Sequence, residues 1–253
     1  MDQLLVDHLV APSTRVVATA AQLRDAVQSR GPLRVQTVNL HHIELAHSSA
    51  EFRQAILDAD VITADGWPVV RAMRALGRPV ERVTGSELTA ALTSPTELRS
   101  VRRVGLLGAS EEVGALFTAR LEAAGRTVAF SEHGRHETWV PTVLHEAAAA
   151  AQLDLLLVAV TPPAGDLVAA ELTRLGLGAP VVAVGGSVDM LCGVTRRAPA
   201  LLRALGAEWL YRFAQEPRRL FRRYFIGGMG TFATQLLPVM LRLQHPTDGG
   251  HRT

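Results

Sequence analysis

An α/β fold with a largely parallel sheet, flanked by helices and followed by a basic helical C-terminal appendage, is predicted by three observations. Strand-like and helix-like segments alternate along the chain. Of the 253 residues, 48% are hydrophobic and 20% charged, enough apolar material for a sizeable core. Charge is divided unevenly: residues 1–195 carry 16 Arg against 21 Asp and Glu, whereas residues 196–223 carry eight Arg against two Glu. A net charge of +2 therefore hides an acidic-leaning body, 1–195, and a basic segment within 196–253.

Each element has its own signal. Arg34–Asn39 (RVQTVN) reads as a strand running into a turn. Ser48-x-x-Glu51 reads as a capping box opening a helix through Ala59. Val61–Ala64 is a short apolar strand ending at Asp65-Gly66, and a helix then runs to about Leu76 and stops at Gly77. Val104–Leu107 is a strand followed by Gly108-Ala109-Ser110 and an Ala- and Glu-rich helix. Val128–Ser131, Leu153–Val160 and Val181–Val184 complete the strands, with helices near 141–151 and 166–176. The stretch Ser94–Ser100 (SPTELRS) is the best internal boundary and is expected to join two lobes of one structure. Pro199–Phe225 alternates apolar residues and Arg at helical spacing with a break near Pro217, and Thr231–Leu243 reads as a further amphipathic helix.

Composition excludes some functions. All 26 basic residues are Arg, which codon bias explains best, although Arg brings forked phosphate geometry wherever it lies. The one cysteine, Cys192, rules out an internal disulfide and a cysteine-based metal site. The first 15 residues carry an acid at position 2 and no long apolar core, so they are not read as a signal peptide. The apolar run Phe225–Leu241 is interrupted by Gly227, Gly228, Gly230 and Pro238 and is not read as a membrane span. The body is expected to be cytoplasmic. The appendage interleaves Arg with Trp209, Tyr211, Phe213, Phe221, Tyr224 and Phe225, a pattern suited to an anionic membrane surface. Nucleic acid, a pyrophosphate or simple packing onto the body are the alternatives.

In parallel α/β sheets ligands bind beyond the carboxyl ends of the strands. Thr37 and Asn39, two apart, point to the same side of one such end. Asp65-Gly66 forms another, where a carboxylate near a helix N-terminus stays ionised and serves as a base, or simply caps the helix. Gly108 with Ser110, Gly185-Gly186-Ser187 and Thr84-Gly85-Ser86 are turns whose N–H groups suit phosphate. Asp58-x-Asp60 resembles a metal-binding pair, but it lies at the opposite end of its strand from Asp65. His133-x-x-His136-Glu137 has spacing that a metal would tolerate, yet loop histidines at this spacing seldom bind one.

Taken together, the runs TVNLHHIELA…EFRQAILDADVITADGWPVV…RALGRPVERVTGSEL, GLLGASEEVG and GGSVDMLCGVTRRAP…LGAEWLYRFAQEPRRLFRRY resemble the WecG/TagA/CpsF family, glycosyltransferase family 26, over roughly residues 34–225. The resemblance implies a Rossmann-like transferase at the cytoplasmic membrane face. It moves an N-acetylmannosamine-type sugar from UDP to a polyprenyl-diphosphate-linked amino sugar, with inversion, without metal or other cofactor and without nucleic acid. It implies Asp65 as general base, with Thr37 and Asn39 lining the pocket. Gly66, Gly85, Ser86, Gly108, Ser110, Gly185, Gly186 and Asp189 fall in the matched runs as substrate-binding candidates, and Arg212, Arg219 and Arg222 match arginines of an appendage that closes over the site at the membrane. Self-association through that appendage is a further expectation. One departure stands out: where the family carries Pro-Lys-Gln-Glu, this chain has Pro163-Ala164-Gly165-Asp166. That departure makes a weakly active or inactive scaffold the alternative; a nucleotide-dependent Rossmann oxidoreductase lacks the full glycine fingerprint.

Overall fold

Short β-branched and leucine-rich runs supply the strands. The computed structural model describes residues 15–29, 31–195, 199, 202, 208–215, 217 and 228–242. Its strands are β1 (Val16–Val17), β2 (Leu33–Val38), β3 (Val61–Ala64), β4 (Arg103–Gly108), β5 (Thr127–Glu132), β6 (Leu155–Ala159) and β7 (Pro180–Ala183). They form one seven-stranded sheet in the order β1-β3-β2-β7-β6-β4-β5. Every pairing is parallel. β2, β3, β6 and β7 are buried at every position, as a parallel sheet covered on both faces requires.

The helices are α1 (Ala20–Gln28), α2 (Leu40–Ser48), α3 (Ala50–Leu57), α4 (Trp67–Ala75), α5 (Gly85–Ala91), α6 (Glu111–Ala123), α7 (Pro141–Ala150), α8 (Ala164–Arg174), α9 (Ser187–Cys192) and α10 (Glu208–Gln215). Near the C-terminus α11 (Met229–Thr231), a π-helical segment (Phe232–Leu236) and α12 (Leu237–Arg242) follow one another. One face of the sheet buries Val35, Val61, Leu106 and Val182 against Leu23 of α1, Leu88 of α5, Phe117 of α6 and Val188 of α9. The other face carries two clusters. Val38, Ile62 and Ala64 pack with Ile43 of α2, Phe52 of α3, Met73 of α4 and Leu236. Leu107, Leu156 and Val158 pack with Leu144 of α7 and Leu172 of α8.

Within residues 31–195 the predicted elements are present, with shifts at their ends. One assignment is corrected. Ser48 does not open a helix: it is the last residue of α2, and its hydroxyl donates to the Glu44 and Leu45 carbonyls. Ser49, whose backbone is extended (φ −130°, ψ 115°), is the N-cap of α3 and accepts from the Phe52 N–H at 3.2 Å. Cap function follows the residue that leaves helical φ/ψ, and that is Ser49. The segment 94–100 connects α5 to β4 within the single sheet. Buried Arg126 holds it by donating to the carbonyls of Leu92, Ser94, Glu97, Leu98 and Val101. Of the appendage, residues 199, 202 and 217, α10 and the helical stretch from 228 to 242 are described. The expected break near Pro217 adjoins residues 218–227, which are outside the described set, as is Leu243. Among the described residues no helix is long and apolar enough to cross a membrane.

Candidate functional site

Because all strands are parallel, their carboxyl ends form one row. Read along the sheet order, that row holds Ala18, Asp65-Gly66, Asn39, Gly185-Gly186, Val160, Gly108–Ser110 and His133. The helices after β2 and β7 leave toward opposite faces of the sheet: α2 joins one cluster and α9 the other. A crevice therefore opens between these neighbouring strands at their carboxyl ends.

Asp65 stands on the β3 side of this crevice. Its N–H donates to the Val38 carbonyl at 2.8 Å, which sets it level with the end of β2 and beside Asn39. The N-cap of α4 is Gly66, at φ 108°, ψ 144°, a conformation an L side chain rarely adopts. Asp65 thus lies one residue outside the cap position. It is half-buried.

Thr37 lies in β2 opposite Thr63 of β3 and is buried. Asn39 is the N-cap of α2: its Oδ1 accepts from the N–H groups of His41 (3.0 Å) and His42 (3.3 Å). In return its own N–H donates to His42 Nδ1 at 3.3 Å, a capping box closed by histidine. Thr84 caps α5 in a similar box with Glu87, and its hydroxyl lies 2.9 Å from that of Ser86. A Cβ on Gly85 would come within 3.2 Å of Val184, so glycine lets this turn approach the end of β7. Gly185 and Gly186 lead into α9, whose first turn carries Asp189; burial pushes that carboxyl above its ordinary pKa, against its own main-chain hydrogen bond. These groups thus converge on the β3–β2–β7 part of the row.

Gly108 and Ser110 lie further along, at the end of β4. Ser110 caps α6 by accepting from Val113 N–H, and the first turn of that helix carries Glu111 and Glu112. Two carboxylates there oppose a phosphate at this terminus. The histidine motif is dispersed: the His133 Nδ1–H donates to the Gly108 carbonyl at 3.1 Å, while half-buried His136 sits 3.5 Å from Glu137. Among the described residues no group of three or more His, Cys, Asp or Glu could hold a metal ion. Asp60 accepts from the Arg34 N–H at 2.7 Å, and Asp58 from the Gln54 amide at 2.8 Å, at the opposite end of β3 from Asp65. Arg212 falls in α10, and Arg219 and Arg222 lie outside the described residues. A hollow of about 610 Å³ lies apart from the crevice, lined by Ala18, Thr19, Arg74, Gly77 and Pro79–Glu81 at the β1 edge.

The structure also brings in residues that the sequence reading passed over. The segment 81–83 runs along the strand ends, Glu81 N–H donating to Ala18 O and Val83 N–H to Ala64 O, so half-buried Arg82 lies beside the Ala64–Asp65 step. Its one sequence signal is its place two residues before the Thr84 cap. Asp166, in the departing 163–166 run, is 1% exposed and accepts from the Gln36 amide at 2.6 Å. Gly165 fits against the end of β6: a Cβ there would lie 2.3 Å from the Val160 carbonyl oxygen.

A parallel α/β sheet with a carboxylate, an amide and glycine turns around one strand-end crevice suits transfer of a group from an anionic carrier. The sequence model of the Glycosyl transferase WecG/TagA/CpsF family matches residues 8–244, nearly the whole chain. The chain belongs to the WecG/TagA/CpsF family of glycosyltransferases.

Proposed function

We propose that the protein transfers an N-acetylmannosamine-type sugar, with inversion, from a UDP-sugar to a polyprenyl-diphosphate-linked amino sugar at the cytoplasmic face of the membrane. The observation that carries this reading is the placement of Asp65: half-buried, outside the α4 cap and beside Asn39 at the strand-end crevice. The Asp65 carboxylate takes the proton of the acceptor hydroxyl as that oxygen attacks C1 of the donor sugar. The C1–O bond to the diphosphate breaks on the opposite side, and UDP leaves with the electron pair. Inversion follows from a single displacement.

The departing diphosphate gains charge, so cations that meet it lower the barrier. Arg212, Arg219 and Arg222 are the proposed source, on a segment basic and aromatic enough to sit at an anionic membrane surface. Arg82, beside the Ala64–Asp65 step, is a cation within the body itself.

The test is transfer of sugar from UDP-N-acetylmannosamine to a short-chain polyprenyl-diphosphate acceptor, without added metal. Asp65→Asn keeps the shape and removes the base, and is expected to lower kcat by about a hundredfold or more while the fold and donor binding persist. Full activity of Asp65→Asn would overturn the assignment of the base. A wild-type protein that binds neither UDP nor UDP-sugar would favour the scaffold reading, motivated by the altered 163–166 run.

A further inference from the structure

Asp166 and His42 are two buried polar side chains that the transfer chemistry does not use. Asp166 is 1% exposed and His42 3% exposed. They lie between the two apolar clusters on one face of the sheet, where β2 carries Arg34 and Gln36 inward among hydrophobic neighbours. Burying such groups is costly unless they pair.

Their pairing has a direction. The Arg34 guanidinium donates to Gln36 Oε1 at 3.3 Å, which turns the Gln36 Nε2 group toward Asp166 Oδ1 at 2.6 Å. The same Oδ1 lies 3.4 Å from His42 Nε2. His42 Nδ1 accepts the Asn39 N–H at 3.3 Å, so that nitrogen holds a lone pair and the ring proton sits on Nε2, facing the carboxylate. The opposite tautomer would set two hydrogens against each other at Asn39. Asp166 favours the tautomer that the Asn39 cap needs.

The consequence reaches the site. With Asn39 Oδ1 turned to the N–H groups of His41 and His42, the amide nitrogen faces away from the helix. Asn39 then offers N–H donors, and no acceptor, at the end of β2 next to Asp65.

We propose that Asp166 is a positioning residue: through His42 it locks the Asn39 amide with its N–H donors directed at an acceptor oxygen of the bound sugar nucleotide. The functional half rests on the transferase reading; the tautomer half does not. It also gives the departing 163–166 run a role, since its acidic residue acts from beneath the strand ends rather than within the crevice.

The deciding experiment is ¹⁵N NMR of the histidine rings in the full chain, with His42 assigned by substitution. Wild-type His42 is expected in the neutral form protonated on Nε2. Asp166→Ala should weaken that preference, leaving only the Asn39 N–H to hold it, and Asp166→Asn, which keeps an acceptor oxygen, should restore it. A wild-type ring protonated on Nδ1 overturns the proposal without any variant, as does an unchanged tautomer in a folded Asp166→Ala protein.

Calorimetric titration with UDP-N-acetylmannosamine tests the functional half. Asn39→Asp caps α2 as well as Asn does but donates nothing, and should weaken binding about tenfold. Adding Asp166→Ala to it should cause little further loss, because one residue acts through the other. Full additivity of the two losses would overturn the linkage. Absence of wild-type binding would count against the transferase reading, and the NMR result would still decide the lock.

Discussion

Single atoms decide several features of this molecule. Gly165 is the clearest: a Cβ would sit 2.3 Å from the Val160 carbonyl oxygen, a backbone atom that cannot swing aside. The Gln that the family resemblance would place at this position does not fit the path the chain takes here. Gly165→Gln and Gly165→Ala are therefore both expected to destabilise, by about 2 kcal/mol or more, as a drop in denaturant midpoint at unchanged m-value. A neutral Gly165→Ala would show that the start of α8 gives way. Asp189 yields a prediction of opposite sign. Burial raises its pKa, so the folded state holds the proton more tightly than the unfolded chain does. Stability attributable to this group then falls as pH rises from the unfolded pKa through the folded one. Asp189→Asn should melt higher than wild type at neutral pH, with the gap closing below the ordinary carboxylate range. A gap that persists at low pH would remove the carboxylate as its cause. Neither effect is legible in the sequence, because a glycine before an aspartate and an aspartate in GGSVD give no sign of the atoms packed against them.

At the scale of elements, the sequence shows regular patterns and hides local competition. β3 was readable to the residue because Val61, Ile62 and Ala64, with β-branched Thr63 between them, end at Asp65-Gly66, and the strand-end logic then located the crevice. β1 was not readable: its two residues pair with Ile62 and Thr63 and carry no pattern of their own. α2 was missed because LHHIELAHS lacks a strong apolar stripe, and its start depends on a histidine standing where Glu or Gln usually closes the box. The site was legible as a set of strand ends, but the Asp166–Gln36 contact spans 130 residues and arises only from the fold. The neighbouring serines at 48 and 49 make a sharp test of where α3 begins. Ser49→Ala should cost about 1 kcal/mol by removing the bond from Phe52 N–H, while Ser48→Ala should be nearly neutral. Chemical denaturation of the pair separates them, and equal losses would contradict the assigned cap.

At the scale of the whole molecule, one sheet unites both halves of the chain, and two buried features hold distant parts to it. Arg126 is the first. Its guanidinium satisfies carbonyls from Leu92 to Val101, and burial, helped by Arg102, lowers its pKa. Arg126→Leu would strand those carbonyls and should cost about 3 kcal/mol in a single cooperative transition. The second is the C-terminal helical stretch. Leu236 is 2% exposed within the cluster formed by α2, α3 and α4, Met240 packs against the same cluster, and the Phe232 ring lies 5.5 Å from Trp67, two residues after Asp65. This stretch is both part of the core and a neighbour of the proposed base. A truncation before about Pro199 would remove Phe232, Leu236 and Met240 and expose the apolar surface they cover. That truncated chain is therefore expected to melt below the full chain and to bind a hydrophobic dye. Phe232→Ala with Leu236→Ala should reproduce much of the loss, since burying such side chains contributes about 2–5 kcal/mol each. If the double variant melts like wild type, the stretch is not docked on α4, and the route from appendage to Asp65 must run through other residues.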